Sequence, residues 1–189
     1  MFKKKPFFIT FEGVEGCGKS FQCNRLKKNL KKNNINVLLT REPGGTKSAE
    51  LIRNLILKDY FNKDNKEKFD KYTDTLLYLA ARNEHVKTKI RPALDKKKVV
   101  ICDRFIDSTI AYQVYGKKVN SNFIENIHKY ILEGVKPNLT FILKVSPKAA
   151  KRRLLKRKIK NRYDSFKQSF YTKAQRSFLK IAKNKKNYF

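Results

Sequence analysis

The chain has 189 residues, with 46 Lys and Arg against 16 Asp and Glu for a formal net charge of +30. This length suits one domain that buries a core without staples, and it lacks both an apolar run near the ~20 residues of a membrane span and a cleavable signal pattern. A cytoplasmic protein is the expectation, and Cys17, Cys23 and Cys102, with no C-x-x-C pair and no histidine at ligand spacing, read as reduced, small buried side chains.

In chain order, residues 7–20 (FFITFEGVEGCGKS) form an apolar strand that runs into a glycine-rich loop. A helix over residues 19–32 follows, with Cys23, Leu26 and Leu30 on one side, and residues 36–40 (NVLLT) make a second strand. After the turn at residues 41–45 comes a short helix, 47–57, and a polar loop, 62–68. A long helical stretch runs over 72–97 despite Pro92, before strand three at 98–102 (KVVIC). Helices near 108–115 and 123–132, strand four at 139–145 (LTFILKV) and charged helices to 183 complete the pass. Short apolar runs alternating with helices predict a three-layer α/β sandwich, with a parallel central sheet and helices on both faces. No repeat or inter-domain linker is visible.

The glycine-rich loop fits G-x-x-x-x-G-K-[ST] at Gly13, Gly18, Lys19 and Ser20, in the strand-then-helix setting the motif requires. Curled backbone from Gly13 through Val14, Glu15, Gly16, Cys17 and Gly18 turns successive N–H groups inward, and the following helix adds its positive dipole end. Lys19 supplies a full charge, which makes the loop a cage for polyphosphate. Ser20 places a hydroxyl where Mg²⁺ would bridge β- and γ-phosphates.

Asp103-Arg104 closes a buried strand at its carboxyl edge, where nucleotides sit in this fold type. Asp103 is placed to hold Mg²⁺ or its water, and Arg104 to fork onto phosphate oxygens. The pair taken alone also fits an ion pair capping the next helix.

Charge by itself would point to nucleic acid. Of the 46 basic residues, however, 35 are Lys and only 11 are Arg, in a chain also rich in Asn, Ile and Phe. Lysines spread over every solvated helix face read as compositional drift, so nucleic acid is expected to bind only non-specifically through charge. Sites needing a planar bidentate fork single out the arginines.

Five runs together resemble thymidylate kinase: residues 12–20 (EGVEGCGKS), 41–46 (REPGGT), 76–82 (LLYLAAR), 103–105 (DRF) with 107–113 (DSTIAYQ), and 161–164 (NRYD). Their order and spacing match from about residue 6 to 182. The resemblance implies transfer of the γ-phosphoryl group of ATP to thymidine 5′-monophosphate (dTMP), giving ADP and dTDP. Two alternatives stand beside it: another nucleoside monophosphate kinase of the same fold, and a basic P-loop protein that binds nucleic acid without turnover.

Tyr78 and Arg82 lie four apart on one helix and so share a face, where a ring can stack on a pyrimidine and a guanidinium can read a base edge. A core aromatic and a solvated charge would share the same spacing. Ser108 with Tyr112, and Thr109 with Gln113, repeat this geometry. By resemblance Thr109 and Gln113 face the base, Tyr112 crowds the sugar 2′ position, Glu15 accepts from the 3′-hydroxyl, and Arg41 with Arg104 holds the acceptor phosphate. Lys19, Arg104 and Arg162 are the expected catalytic cations, Arg162 arriving from a lid at about 155–165; Arg152, Arg153 and Arg157 also read as members of a basic helix and loop. His85 and His128, with no partner at ligand or triad spacing, read as satisfied or solvated. The resemblance further implies a homodimer, and a fifth strand and last helix for which only residues 184–189 remain. Strand four is accordingly expected to carry an uncovered edge at Phe141, Ile142 and Leu143, prone to self-association.

Overall fold

The computed structural model describes residues 5–58, 68–156 and 168–189. Its strands are β1 (Phe7–Glu12), β2 (Val37–Arg41), β3 (Val99–Asp103) and β4 (Leu139–Ile142). They form one parallel sheet in the order β2-β3-β1-β4, with Phe11 and Arg41 both opposite Asp103. Three strand ends thus deliver Glu12, Arg41 and Asp103 to one edge of the sheet, from which the site is built.

Alternation along the strands sorts the core into two layers. Ile9, Phe11, Val99 and Ile101 pack with Cys23, Leu26 and Leu30 of α1 (Lys19–Lys32) on one face. Phe8, Val100 and Cys102 pack on the other face with Val86, Ile90 and Ala93. Those three residues come from a continuous helical column made of α3 (Lys71–His85), a π-helical stretch (Val86–Ile90) and α4 (Arg91–Asp95). Pro92 follows directly on the π-helical stretch, and the long helix expected from the sequence continues through it. Thr46 caps α2 (Lys47–Leu57) by accepting from Ala49 N at 3.2 Å.

Beyond β3 the chain enters α5 (Ile106–Thr109), continues in π form over Ile110–Gly116, and then makes α6 (Ser121–Leu132). After β4 come α7 (Pro147–Leu155) and α8 (Gln168–Ala182). β4 is shorter than expected, because the Val145 N–H goes to the Gln175 side chain at 3.0 Å instead of to a strand.

The expectation of an uncovered β4 edge is corrected. Residues 187–189 lie parallel to β4, with Thr140 N donating to Asn187 O at 2.9 Å, Phe189 N to Thr140 O at 3.0 Å and Ile142 N to Phe189 O at 2.7 Å. The Phe189 ring stands 6.3 Å from that of Phe141. A fifth strand position is therefore occupied over Thr140–Ile142, and the backbone donors expected to invite another chain are taken. The segment expected to form a lid, with Arg157 and Arg162, lies outside the described residues from position 157 onward.

Candidate active site

A cleft of about 540 Å³ opens over the carboxyl ends of the strands, floored by the glycine-rich loop and walled by α2, α3 and the α5 helix with its π extension. Gly13 has φ +137°, and a Cβ there would sit 2.5 Å from the Leu143 carbonyl oxygen, so the loop can pass under β4 only with glycine. Lys19 is folded back over the loop, its Nζ donating to Gly13 O at 3.0 Å and Val14 O at 2.9 Å. The ammonium is thereby held at the centre of the cage.

Ser20 Oγ donates to Asp103 Oδ2 at 2.5 Å, which joins the start of α1 to the end of β3. This is a pair of hard oxygen donors with no third acidic or histidine ligand grouped with it among the described residues. Such a pair fits Mg²⁺, a cation that keeps several waters and takes one or two carboxylates plus phosphate oxygens.

Arg104 sits between the phosphate cage and the rest of the cleft in the left-handed backbone region, φ 74°. Its Nη2 pairs with Glu15 Oε1 at 2.8 Å, and its Nη1 donates to Gly13 O at 2.8 Å and Ser108 Oγ at 3.0 Å. Glu15 also accepts from the Tyr112 hydroxyl at 2.7 Å. Burial would raise the Glu15 carboxyl, but the Arg104 and Lys19 charges and the Tyr112 bond outweigh it and hold it below its ordinary value. Arg104 is likewise pushed well above the usual range, burial being overcome by Glu15 and the other acids around it. Phe170 and Phe178 of α8 flank the Tyr112 ring at 5.8 and 5.9 Å, which fixes its position in the wall.

At the far end Tyr78, Thr109, Tyr112 and Gln113 line the cleft, and Gln113 Nε2 is buried without a hydrogen-bond partner. Arg82 is 3 % exposed and largely occupied: Nε donates to Glu42 Oε2 at 2.8 Å, Nη2 to Phe105 O at 2.9 Å, and Nη1 meets His128 Nε2 at 2.8 Å. Because Nη1 can only donate, His128 is a neutral acceptor there. Burial and the Arg82 charge push its pKa down to about 3. His85, fully buried, lies 3.1 Å from Glu42 Oε1 through Nδ1 and 2.6 Å from Thr40 Oγ1 through Nε2. With a proton on Nδ1 the ring donates to Glu42. Arg41 is half-exposed at the rim, paired with Glu50 at 3.1 Å.

The structure thus brings the expected P-loop, Asp103, Arg104 and base-side residues to one cleft. Both histidines are satisfied, as expected. Sequence reading missed Glu12, Glu42 and Arg53, and left Arg153 in a basic helix and loop. Arg53 lines the cleft and donates through Nη1 to Pro43 O at 2.5 Å, while Arg153 Nη1 donates to Gly16 O at 2.9 Å. The scarcity of arginine in so lysine-rich a chain was the signal that could have found these two.

The family model described as thymidylate kinase matches residues 11–189. The chain belongs to the thymidylate kinase family. Among its relatives, the thymidylate kinase of Sulfurihydrogenibium sp. (strain YO3AOP1) is 40 % identical over 183 residues, covering 97 % of this chain and 86 % of the relative. That of Wolbachia sp. subsp. Brugia malayi (strain TRS) is 44 % identical over 179 residues, covering 94 % and 82 %. A crystal structure of thymidylate kinase from Ehrlichia chaffeensis superposes with a TM-score of 0.75 at 36 % identity, covering 98 % of this chain and 87 % of that one. Membership makes the chain an ATP-dependent nucleoside monophosphate kinase that phosphorylates dTMP to dTDP, and disfavours the reading as a nucleic-acid binder without turnover.

Proposed function

We propose the following division of roles for phosphoryl transfer from ATP to dTMP in this cleft. The observation that carries it is the buried, unpartnered Gln113 amide, placed across the cleft from a polyphosphate cage. A buried donor without an acceptor is costly, and a nucleobase oxygen would satisfy it. Tyr78 stacks on the base, Thr109, Gln113 and the donors left on Arg82 read its edge, Tyr112 crowds the 2′ position, and Glu15 accepts from the 3′-hydroxyl. Arg41 and Arg104 hold the acceptor phosphate, with Arg53 beside them.

An acceptor phosphate oxygen, already ionised at neutral pH, forms the new bond to Pγ while the bond from Pγ to the β,γ-bridging oxygen breaks and ADP leaves. No general base is required. Lys19 and Arg104 meet the charge developing on the transferred group from fixed positions, and Arg162 is the cation assigned to the lid. Ser20 and Asp103 would hold Mg²⁺, which when bound neutralises phosphate charge. The reading is tested by coupled detection of ADP release across a panel of monophosphates. Turnover with dTMP above dUMP and dCMP is expected, dependent on added Mg²⁺ and abolished by chelation; equal turnover of all pyrimidines would remove the assigned base readers.

Leu51 and Leu55 of α2 and Leu76 of α3 are exposed on two helices packed together, which supports a homodimer through that face. A monomer by sedimentation at micromolar concentration would count against it. The same reading takes the protein as a cytoplasmic, single-domain kinase that meets nucleic acid only through charge; no helix among the described residues is long and apolar enough to cross a membrane.

A further inference from the structure

Among the buried carboxyls that the assigned roles leave unused, Glu12 adjoins the phosphate cage. Glu12, the last residue of β1, is 1 % exposed and lies directly before the glycine-rich loop. Its Oε1 accepts from the Phe105 backbone N–H at 2.7 Å and its Oε2 from the Ser108 hydroxyl at 2.5 Å. Phe105 is the N-cap residue of α5, and Glu12 on the neighbouring strand takes up its backbone N–H. Ser108 Oγ, while donating to Glu12, accepts from Arg104 Nη1 at 3.0 Å. Arg104 directly precedes the first of these contacts and donates to the residue of the second, with φ 74°, a region that non-glycine residues seldom adopt.

We propose that Glu12 is a positioning residue for phosphoryl transfer: by accepting from both Phe105 and Ser108, its carboxylate fixes the Arg104 turn, and its protonation loosens the grip on the acceptor phosphate. The inference rests on the assignment of Arg104 to that phosphate. A carboxylate accepts at both oxygens, whereas a carboxylic acid must donate from one. With the proton on Oε2, Glu12 donates to Ser108 Oγ, the serine hydrogen has to turn away, and the side it turns toward holds the Arg104 donors. The contact that steadies the guanidinium is then opposed. The groups facing Glu12 are Asp107 on α5, Arg104 in the turn, Cys102 on β3 and Tyr188 in the C-terminal segment. Burial first, then the Asp107 charge, lifts Glu12 to about 7 against the pull of Ser108 and Arg104. The switch consequently lies in the range where the enzyme would work.

Glu12→Gln separates this role from a merely structural one. A carboxyl raised in the folded state adds stability below its ordinary value of 4.5 and loses it as pH rises through about 7. At pH 8 the neutral amide should therefore melt no lower than the wild type, while kcat/KM for dTMP falls about tenfold and KM for ATP stays put. The acid limb of the wild-type profile should contain two titrations, one near 7 and one from the substrate phosphate near ~6; the variant should keep only the second. A profile that superimposes on the wild type's, or a melting temperature that falls together with activity, overturns the proposal. If the variant does not fold, the wild-type limb alone decides: a single titration near ~6 refutes it. Arg104→Lys tests the underlying assignment separately, since an unchanged dTMP KM there removes the phosphate clamp whatever Glu12 does.

Discussion

Glu42→Gln should cost the protein several kcal/mol, and the arithmetic follows from what the carboxylate touches. Glu42 is 6 % exposed and faces Arg82, 3 % exposed, and His85, fully buried. Burial opposes its ionisation, yet the Arg82 charge and the His85 bond hold the carboxyl below its ordinary value. Removing the negative charge leaves a buried guanidinium whose acceptors, Phe105 O, His128 and one amide oxygen, are all neutral, and breaking a buried pair in this way costs about 3–5 kcal/mol. For a chain of this size each kcal/mol moves Tm by about 2–4 °C, so a fall of roughly 6–20 °C is expected. The assay is thermal unfolding at pH 7.5, repeated at lower pH. Because the carboxyl is depressed on folding, its contribution is present above 4.5 and disappears as pH falls through the folded value, so the two melting curves should converge only on the acid side. A shift under about 2 °C at pH 7.5 would show that Arg82 finds other compensation, and would refute the view that this pair anchors the base wall.

Four other outcomes are expected. Lys19→Ala should lower kcat by about a hundredfold or more with a small fall in Tm, since the ammonium acts on transition-state charge and also ties Gly13 and Val14; steady-state kinetics with a melting control checks it. Gln113→Leu should raise the dTMP KM about tenfold while Tm holds or rises, because it removes a buried donor that has no protein acceptor. His128, held neutral with its pKa pushed down to about 3, should make the protein lose stability as pH falls from the ordinary 6.5 toward that value, and His128→Gln should flatten this part of a Tm-against-pH plot. Tyr112→Ala should narrow the preference for dTMP over its ribonucleotide counterpart, measured as a ratio of kcat/KM values.

Much of this was legible in the sequence because the informative signals are local. Four glycine-loop positions, an Asp-Arg at a strand end and three helical pairs four apart each follow from spacing along one element. Glu12 and Glu42 escaped notice because their partners are 93 and 40 residues away, and only the closed sheet sets them beside Phe105 and Arg82. His85 and His128 were set aside for lacking neighbours in sequence, yet they bound the Glu42–Arg82 pair from two different helices. The β4 edge was misjudged for a related reason. Residues 184–189 are polar and few, and nothing in their pattern announces a strand; pairing with Thr140 and Ile142 supplies the order that propensity does not.

The π-helical winding over Ile110–Gly116 has a consequence for how this wall can change over time. Such a segment carries more residues per turn than an α-helix, and it stands where one extra residue has been absorbed without breaking the helix. Deleting one residue inside it would let the winding return to α while the chain beyond Gly116 keeps its direction, so the change would fall on the residues of the stretch itself. Those residues include Ala111, Tyr112 and Gln113, all buried, with Tyr112 packed on Phe170 and Phe178. A change of length here is therefore felt by the core and by the cleft together, and much less by the helix that follows.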